Sequence, residues 1–170
     1  MEYQSCFDII GPIMVGPSSS HTAGVVSIGK FIHDLLGGCP EEANIVFYDS
    51  FSETYQGHGT DKALLGGLLG MDADDPRIKQ SLESAKEHGM QYYLEFEDRC
   101  VYFDHPNTTI VTVKRGDCIV KVGGVSLGGG LSKIFMIDEE MIDIRLSAGD
   151  DFEYISNQYQ LSKKLLMEEM

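Results

Sequence analysis

Basic charge is what this sequence has least of. Lys and Arg number 13 against 27 Asp and Glu, a formal net charge of -14 over 170 residues. Phosphate backbones are held by grouped Lys and Arg, so no nucleic-acid partner is expected. Acidity of this kind serves solubility or suits a basic partner surface. Long apolar runs are also missing: none approaches the ~20 residues that cross a bilayer. The opening "MEYQSCFDIIG" lacks the basic region and apolar core of a secretory signal. No membrane association is expected, and the cytoplasm is the expected compartment. Cys6, Cys39, Cys100 and Cys118 stand far apart, without a C-x-x-C pair. That spacing matches neither a zinc site nor an iron-sulfur run, and predicts reduced, mostly buried thiols. A P-loop and a dinucleotide fingerprint are absent too.

What is present fits one globular domain, with 42% hydrophobic and 24% charged residues. Val25, Val26, Ile28, Phe31, Ile32, Leu35 and Leu36 recur at the spacing of one helical face, and Gly37 and Gly38 supply a stop. "NIVFYDSF" reads as a strand and a turn. A glycine-bearing helix is predicted from Thr60, and a second over "DDPRIKQSLESAKEHG", with Pro76 in its first turn and Gly89 at its end. The second half reads as strands: "QYYLEFE", "CVYFDH", Thr109 to Lys114, Ile119 to Val125, and "LSKIFMIDEEMIDI", with "KRGDC" as a hairpin turn. The tail "SNQYQLSKKLLMEEM" is amphipathic and helical. The expected class is α+β, a mixed sheet with packed helices.

Three stretches carry candidate chemistry. In "GPSSSHTAG", small residues let the backbone approach a ligand, and Ser or Thr before a helix leaves its first amides facing an anion. The same residues also suit a capped, solvated loop, but a cap does not call for His21. In "TYQGHGTDKALLGG", His58 lies between two glycines, a loop geometry that projects the ring into open space, and Thr60 and Asp61 begin a helix. The plainer reading makes Asp61 a cap and His58 incidental. In "FDHPNTTIV", Pro106 holds His105 extended, with Asn107 and Thr108 beside it, which is also what an ordinary turn requires. "GGVSLGGGLS" reads as a close-approach loop or a strand bulge. His33 and His88 lie in helical patterns and are expected to be structural or solvated. Together the stretches point to a polar pocket for a small anionic ligand, without an evident electrophile.

Taken as a set, "SCFDIIGPIMVGPSSSHTAG" at 5–24, "GHGTDKALLGGLLG" at 57–70, "FDHPNTT" at 103–109 and "VSLGGG" at 125–130 resemble the β chain of the iron-sulfur L-serine dehydratases. The similarity runs over nearly all of the first 145 residues. It implies a fold of the allosteric substrate-binding type over 1–150. It also implies conversion of L-serine to pyruvate and ammonia. A 4Fe-4S cluster bound by a separate α subunit, and not by this chain, serves there as Lewis acid, and an enzyme base takes the Cα proton. By position, the resemblance makes Ser18, Ser19, Ser20, His21 and Thr22 a substrate-recognition loop and His58 the leading base, with His21 as its catalytic companion. Asp61, His105 and Asn107 join the substrate-binding set, the last two placed near the substrate or the α interface. Family β chains often continue into an ACT regulatory domain, and residues 151–170 would then be a helical connector. The alternative is a regulatory module that binds a small anion or amino acid without catalytic groups; a scaffold for the cluster-bearing partner is a third reading. A docking face left open would let the isolated chain self-associate.

Overall fold

A computed structural model describes residues 13–18 and 21–168. Helix α1 (Ala23–Leu36) comes first, with its apolar face inward, and it stops at Gly37 in the left-handed conformation (φ 70°). There the Gly38 N–H reaches back to the His33 carbonyl at 2.9 Å. Strand β1 (Glu42–Tyr48) follows, then α2 (Ser50–His58), α3 (Thr60–Leu68), a 3₁₀ turn (Pro76–Gln80) and α4 (Ser81–Glu87). Strands β2 (Gln91–Glu97), β3 (Thr108–Arg115), β4 (Cys118–Gly128), β5 (Leu131–Ile137) and β6 (Glu140–Ser147) complete a six-stranded sheet of order β2-β1-β3-β4-β5-β6. Only the β1/β2 pair is parallel; the others are antiparallel, so the sheet is mixed and the α+β class is observed. Helix α5 (Phe152–Glu168) lies along α1, where Gln160 Nε2 donates to the Leu35 carbonyl at 2.8 Å.

The main core joins one sheet face, including Ile45, Phe47, Val111, Val122 and Ile134, to Phe31, Ile32, Leu64 and Leu68 of α1 and α3. Each such fully buried side chain contributes about 1.5–3 kcal/mol. Strand residues alternate in direction, so Ile110 and Val125 face the other side. There they cluster with Cys100, Phe135 and Met136 under residues 98–107, and Phe103 stacks on Phe135 with 4.7 Å between ring centroids.

Three local expectations are corrected. Residues 50–58 form a helix rather than a turn and loop, because Phe51 and Tyr55 recur one turn apart and pack on Phe47 of β1. The single helix expected after Pro76 divides at Ser81, whose hydroxyl donates across to the Lys62 carbonyl of α3 at 2.7 Å. "CVYFDH" is not a strand: its Cys100 and Phe103 side chains help to cover the second sheet face, while Val101 and Tyr102 stay exposed.

Helices α1 and α3 run side by side in the same direction. His33 donates to the Leu68 carbonyl at one end, and His21 meets His58, two residues before α3, at the other. They touch at Gly29 and Gly67, where an added Cβ would lie 2.6 Å from the Leu64 oxygen or 2.4 Å from the Val26 oxygen, respectively. Gly67→Ala is expected to destabilise the chain by about 1–3 kcal/mol, because backbone rather than a flexible side chain must give way. In α2, Gly57→Ala meets no heavy atom within 4 Å and is expected to stabilise by up to ~1 kcal/mol. Denaturant melts of both variants check the pair.

Candidate active site

The site is built where α1, α2 and α3 converge. His21 stands one residue before the N-cap of α1 and is buried, with 7% of its surface exposed. Its Nδ1 lies 3.1 Å from Ser18 Oγ. On the other side of the ring, Nε2 lies 3.1 Å from Thr54 Oγ1 and 3.4 Å from Ser50 Oγ, both on the first turns of α2. Phe51 packs edge-on against the imidazole at 5.1 Å, and the His58 ring does so at 4.4 Å.

His58 stands at the end of α2, with Gly59 closing the helix in the left-handed conformation (φ 67°). The glycines were expected to free this ring into open space. Instead the helix end turns it onto His21, and its Nδ1 is buried without a hydrogen-bond partner among the described residues. Burial first, and the charge on His58 second, hold the His21 pKa below the ordinary histidine value.

Among the described residues, neither N-cap residue of the two adjoining helix starts caps its helix through a side chain. Thr22 occupies the N-cap of α1 and Gly59 that of α3. The Thr22 and Thr60 hydroxyls are buried without partners among the described residues. Uncapped helix starts present free N–H groups and the positive end of the helix dipole. Asp61, in the first turn of α3, is 9% exposed and accepts from the Lys62 N–H at 2.8 Å; burial raises its pKa.

His105 and Asn107 are brought beside this centre rather than into the histidine pair. The Pro106 carbonyl accepts from the Phe51 N–H at 3.4 Å and the Asn107 carbonyl from the Ser126 N–H at 3.0 Å. His105 Nδ1 accepts from the Asn107 N–H at 3.1 Å, and burial lowers its pKa while Asp49 opposes the shift. The glycine-rich stretch is both of the things its sequence allowed. The β4/β5 register shifts between Gly123 and Gly124 and again between Ser126 and Gly128, and Ser126 presses so close to Gly24 of α1 that a Cβ there would lie 2.0 Å from its Oγ. All four resembling stretches thus meet around the start of α1. Ser19 and Ser20 lie outside the described residues. Ser50 and Thr54 were missed by sequence reasoning; their signal was an i, i+4 hydroxyl pair, legible only once 50–58 is known to be helical.

With this geometry in place, comparison with known proteins is decisive. A family model described as "Serine dehydratase beta chain" matches residues 5–133. The chain belongs to the serine dehydratase β-chain family. It is 45% identical over 147 residues to the probable L-serine dehydratase β chain of Bacillus subtilis (strain 168), covering 86% of this chain and 65% of that relative. To the L-serine dehydratase β chain of Peptoniphilus asaccharolyticus it is 39% identical over 143 residues, covering 83% and 64%. It is 34% identical over 172 residues to L-serine dehydratase 2 of Escherichia coli (strain K12), covering 88% of this chain and 37% of the relative. The chain therefore spans just under two thirds of the first two relatives.

The titration of this site has a definite sign. A histidine whose folded-state pKa is depressed takes its proton more readily when unfolded, so its contribution to stability is complete at higher pH. It declines as pH falls through the ordinary imidazole value of about 6.5 toward the folded-state value. His21 and His105 both act in this direction. By NMR titration, His21 is expected to titrate below the ordinary histidine value, and His58→Gln to move it part of the way back by removing the neighbouring charge.

Proposed function

We propose that this chain is the β part of an L-serine ammonia-lyase, which converts L-serine to pyruvate and ammonia. It contributes substrate-holding and proton-transfer groups to a site completed by an α partner. The observation that carries the reading is the meeting of two uncapped helix starts, with unpartnered buried threonine hydroxyls, at a histidine pair.

An amino acid is a zwitterion, and the site offers something to each end. The starts of α1 and α3, with the Thr22 and Thr60 hydroxyls, suit a carboxylate. Asp61, whose carboxyl burial makes reluctant to ionise, gains an ion-pair partner in the ammonium end, which favours its charged form. Ser18, Ser19 and Ser20 belong to the same recognition loop, and His105 and Asn107 border it beside α2. His58 is the base for the Cα proton, through the lone pair of a ring nitrogen; its Nδ1 has no partner among the described residues. Keeping His21 neutral by burial adds no like charge beside His58 when that proton arrives.

The described residues do not fit an iron-sulfur cluster. Cys39, Cys100 and Cys118 stand on separate segments, and no group of three or more His, Cys, Asp or Glu gathers to hold a metal among the described residues. In this reading the 4Fe-4S cluster belongs to the α partner. The six-stranded sheet with helices on one face supports the likeness to an allosteric substrate-binding domain, and α5 supports a helical segment beyond residue 150.

The test is anaerobic pyruvate formation from L-serine by this chain mixed with its cluster-bearing partner. Turnover is expected only in the mixture. His58→Ala should lower kcat by at least ~100-fold while the complex still assembles. Thr60→Val should raise KM about tenfold by removing a substrate hydrogen bond. Undiminished turnover with His58→Ala would shift the reading to a regulatory module that binds an amino acid without catalysing its reaction.

A further inference from the structure

The hydroxyl of Thr54 has a single proton, and its position is decided by the backbone. Thr54 Oγ1 donates to the Ser50 carbonyl at 2.6 Å, one turn back along α2. A carbonyl oxygen can only accept, so that proton is committed. The same Oγ1 lies 3.1 Å from His21 Nε2. With its proton given away, the hydroxyl can meet that nitrogen only as an acceptor, so Nε2 must carry the hydrogen. In a neutral imidazole, Nδ1 is then a lone pair. Ser18 Oγ, 3.1 Å from Nδ1, must donate to it. The opposite tautomer would set two lone pairs against each other between Nε2 and Thr54, in place of a hydrogen bond, and would turn Nε2 to the longer 3.4 Å approach of Ser50 Oγ.

We infer that Thr54 is a positioning residue that locks His21 as its Nε2–H tautomer, so that Nδ1 is the basic nitrogen and Ser18 is its hydrogen-bond donor. Thr54 touches no substrate in this arrangement and acts through the imidazole. The consequence reaches the recognition loop. Ser18, its own proton directed at Nδ1, presents oxygen lone pairs to its other neighbours, the His21 N–H at 3.4 Å among them. Toward a ligand it therefore acts as an acceptor, which suits the ammonium end of an amino acid rather than its carboxylate. The burial that keeps His21 neutral preserves this directionality, because an imidazolium would carry hydrogens on both nitrogens and turn Ser18 around.

The catalytic consequence rests on the serine dehydratase reading; the tautomer itself does not. The experiment is a long-range ¹H–¹⁵N spectrum of the full chain carrying ¹⁵N-labelled histidine, at a pH above the ordinary imidazole range. His21 is assigned by the loss of its signals in His21→Gln. The expected spectrum shows a protonated Nε2 and a pyridine-type Nδ1 for His21. Thr54→Val should convert this to the Nδ1–H form or a mixture, and Thr54→Ser, which keeps the hydroxyl, should restore it. In the assembled complex, kcat should fall roughly 10- to 100-fold in Thr54→Val and recover in Thr54→Ser. A wild-type His21 protonated at Nδ1, or a Thr54→Val spectrum identical to wild type, overturns the assignment. So does lost turnover in Thr54→Val with the tautomer unchanged. A wild-type complex without turnover counts against the dehydratase reading alone, because the spectrum is read without catalysis.

Discussion

The approach of α1 to α3 is the constraint on which the rest depends. Two glycines, Gly29 and Gly67, let the helices touch through backbone, with an added Cβ at either one within 3.0 Å of the other's Cα. Helices separated by ordinary side chains lie 8–10 Å apart, and closer packing changes what their ends can share. Because these two helices run in the same direction, their positive ends open at one place, and the turn between α2 and α3 delivers His58 there. The sheet repeats the device: Gly124 lies directly beneath Ile28, and Ser126 crowds Gly24. The first turn of α1 is therefore held from two sides by contacts that admit no larger residue, and the site gains its precision from rigid elements rather than from its loop.

Burial decides the chemistry of the groups held there. His21 lies between Phe51 and His58, so its charged form loses hydration and faces a like charge as well. Asp61 shifts by the same cause in the opposite sense, its neutral form being favoured. A site that keeps an imidazole neutral and a carboxyl reluctant to ionise has its proton-carrying groups drawn toward one another in pKa, the condition under which protons move between them at modest cost.

Much of this was legible in the sequence, and the exceptions share one physical cause. The α1 register, its glycine stop, the β3–β4 hairpin and the edge strands all follow from local periodicity and turn chemistry. Helix α2 does not, because Gly57 and Gly59 punctuate it and its support comes from elsewhere: Tyr55 stacks on Phe96 of β2 at 4.5 Å, a contact no local pattern announces. The 98–107 segment misled in the opposite way, since residues with strand propensity were used as a cover for the second sheet face. The same division runs through the site. His21, Thr22 and His58 were conspicuous because hydroxyls and glycines surround them in the chain, whereas Ser50 and Thr54 sit in an unremarkable polar stretch and matter only through the imidazole they reach.

The unpartnered groups tie stability to function. Thr22 Oγ1, Thr60 Oγ1 and His58 Nδ1 are buried without partners among the described residues, and each such group costs about 1–3 kcal/mol relative to a satisfied one. At the two threonines a valine would fill the same space without the orphaned hydroxyl. Polar atoms retained at the meeting of two helix starts are placed to be satisfied by a ligand. A ligand that does so binds the folded chain and not the unfolded one, so it stabilises the fold by an amount that grows logarithmically with its concentration relative to Kd. The same three atoms flank the helix starts and the histidine pair, which is where a small zwitterion would have to lie to use the charge of both. The cost of these unpartnered groups and the selectivity of the site are in this view one property, set by the two glycines that bring the helices together.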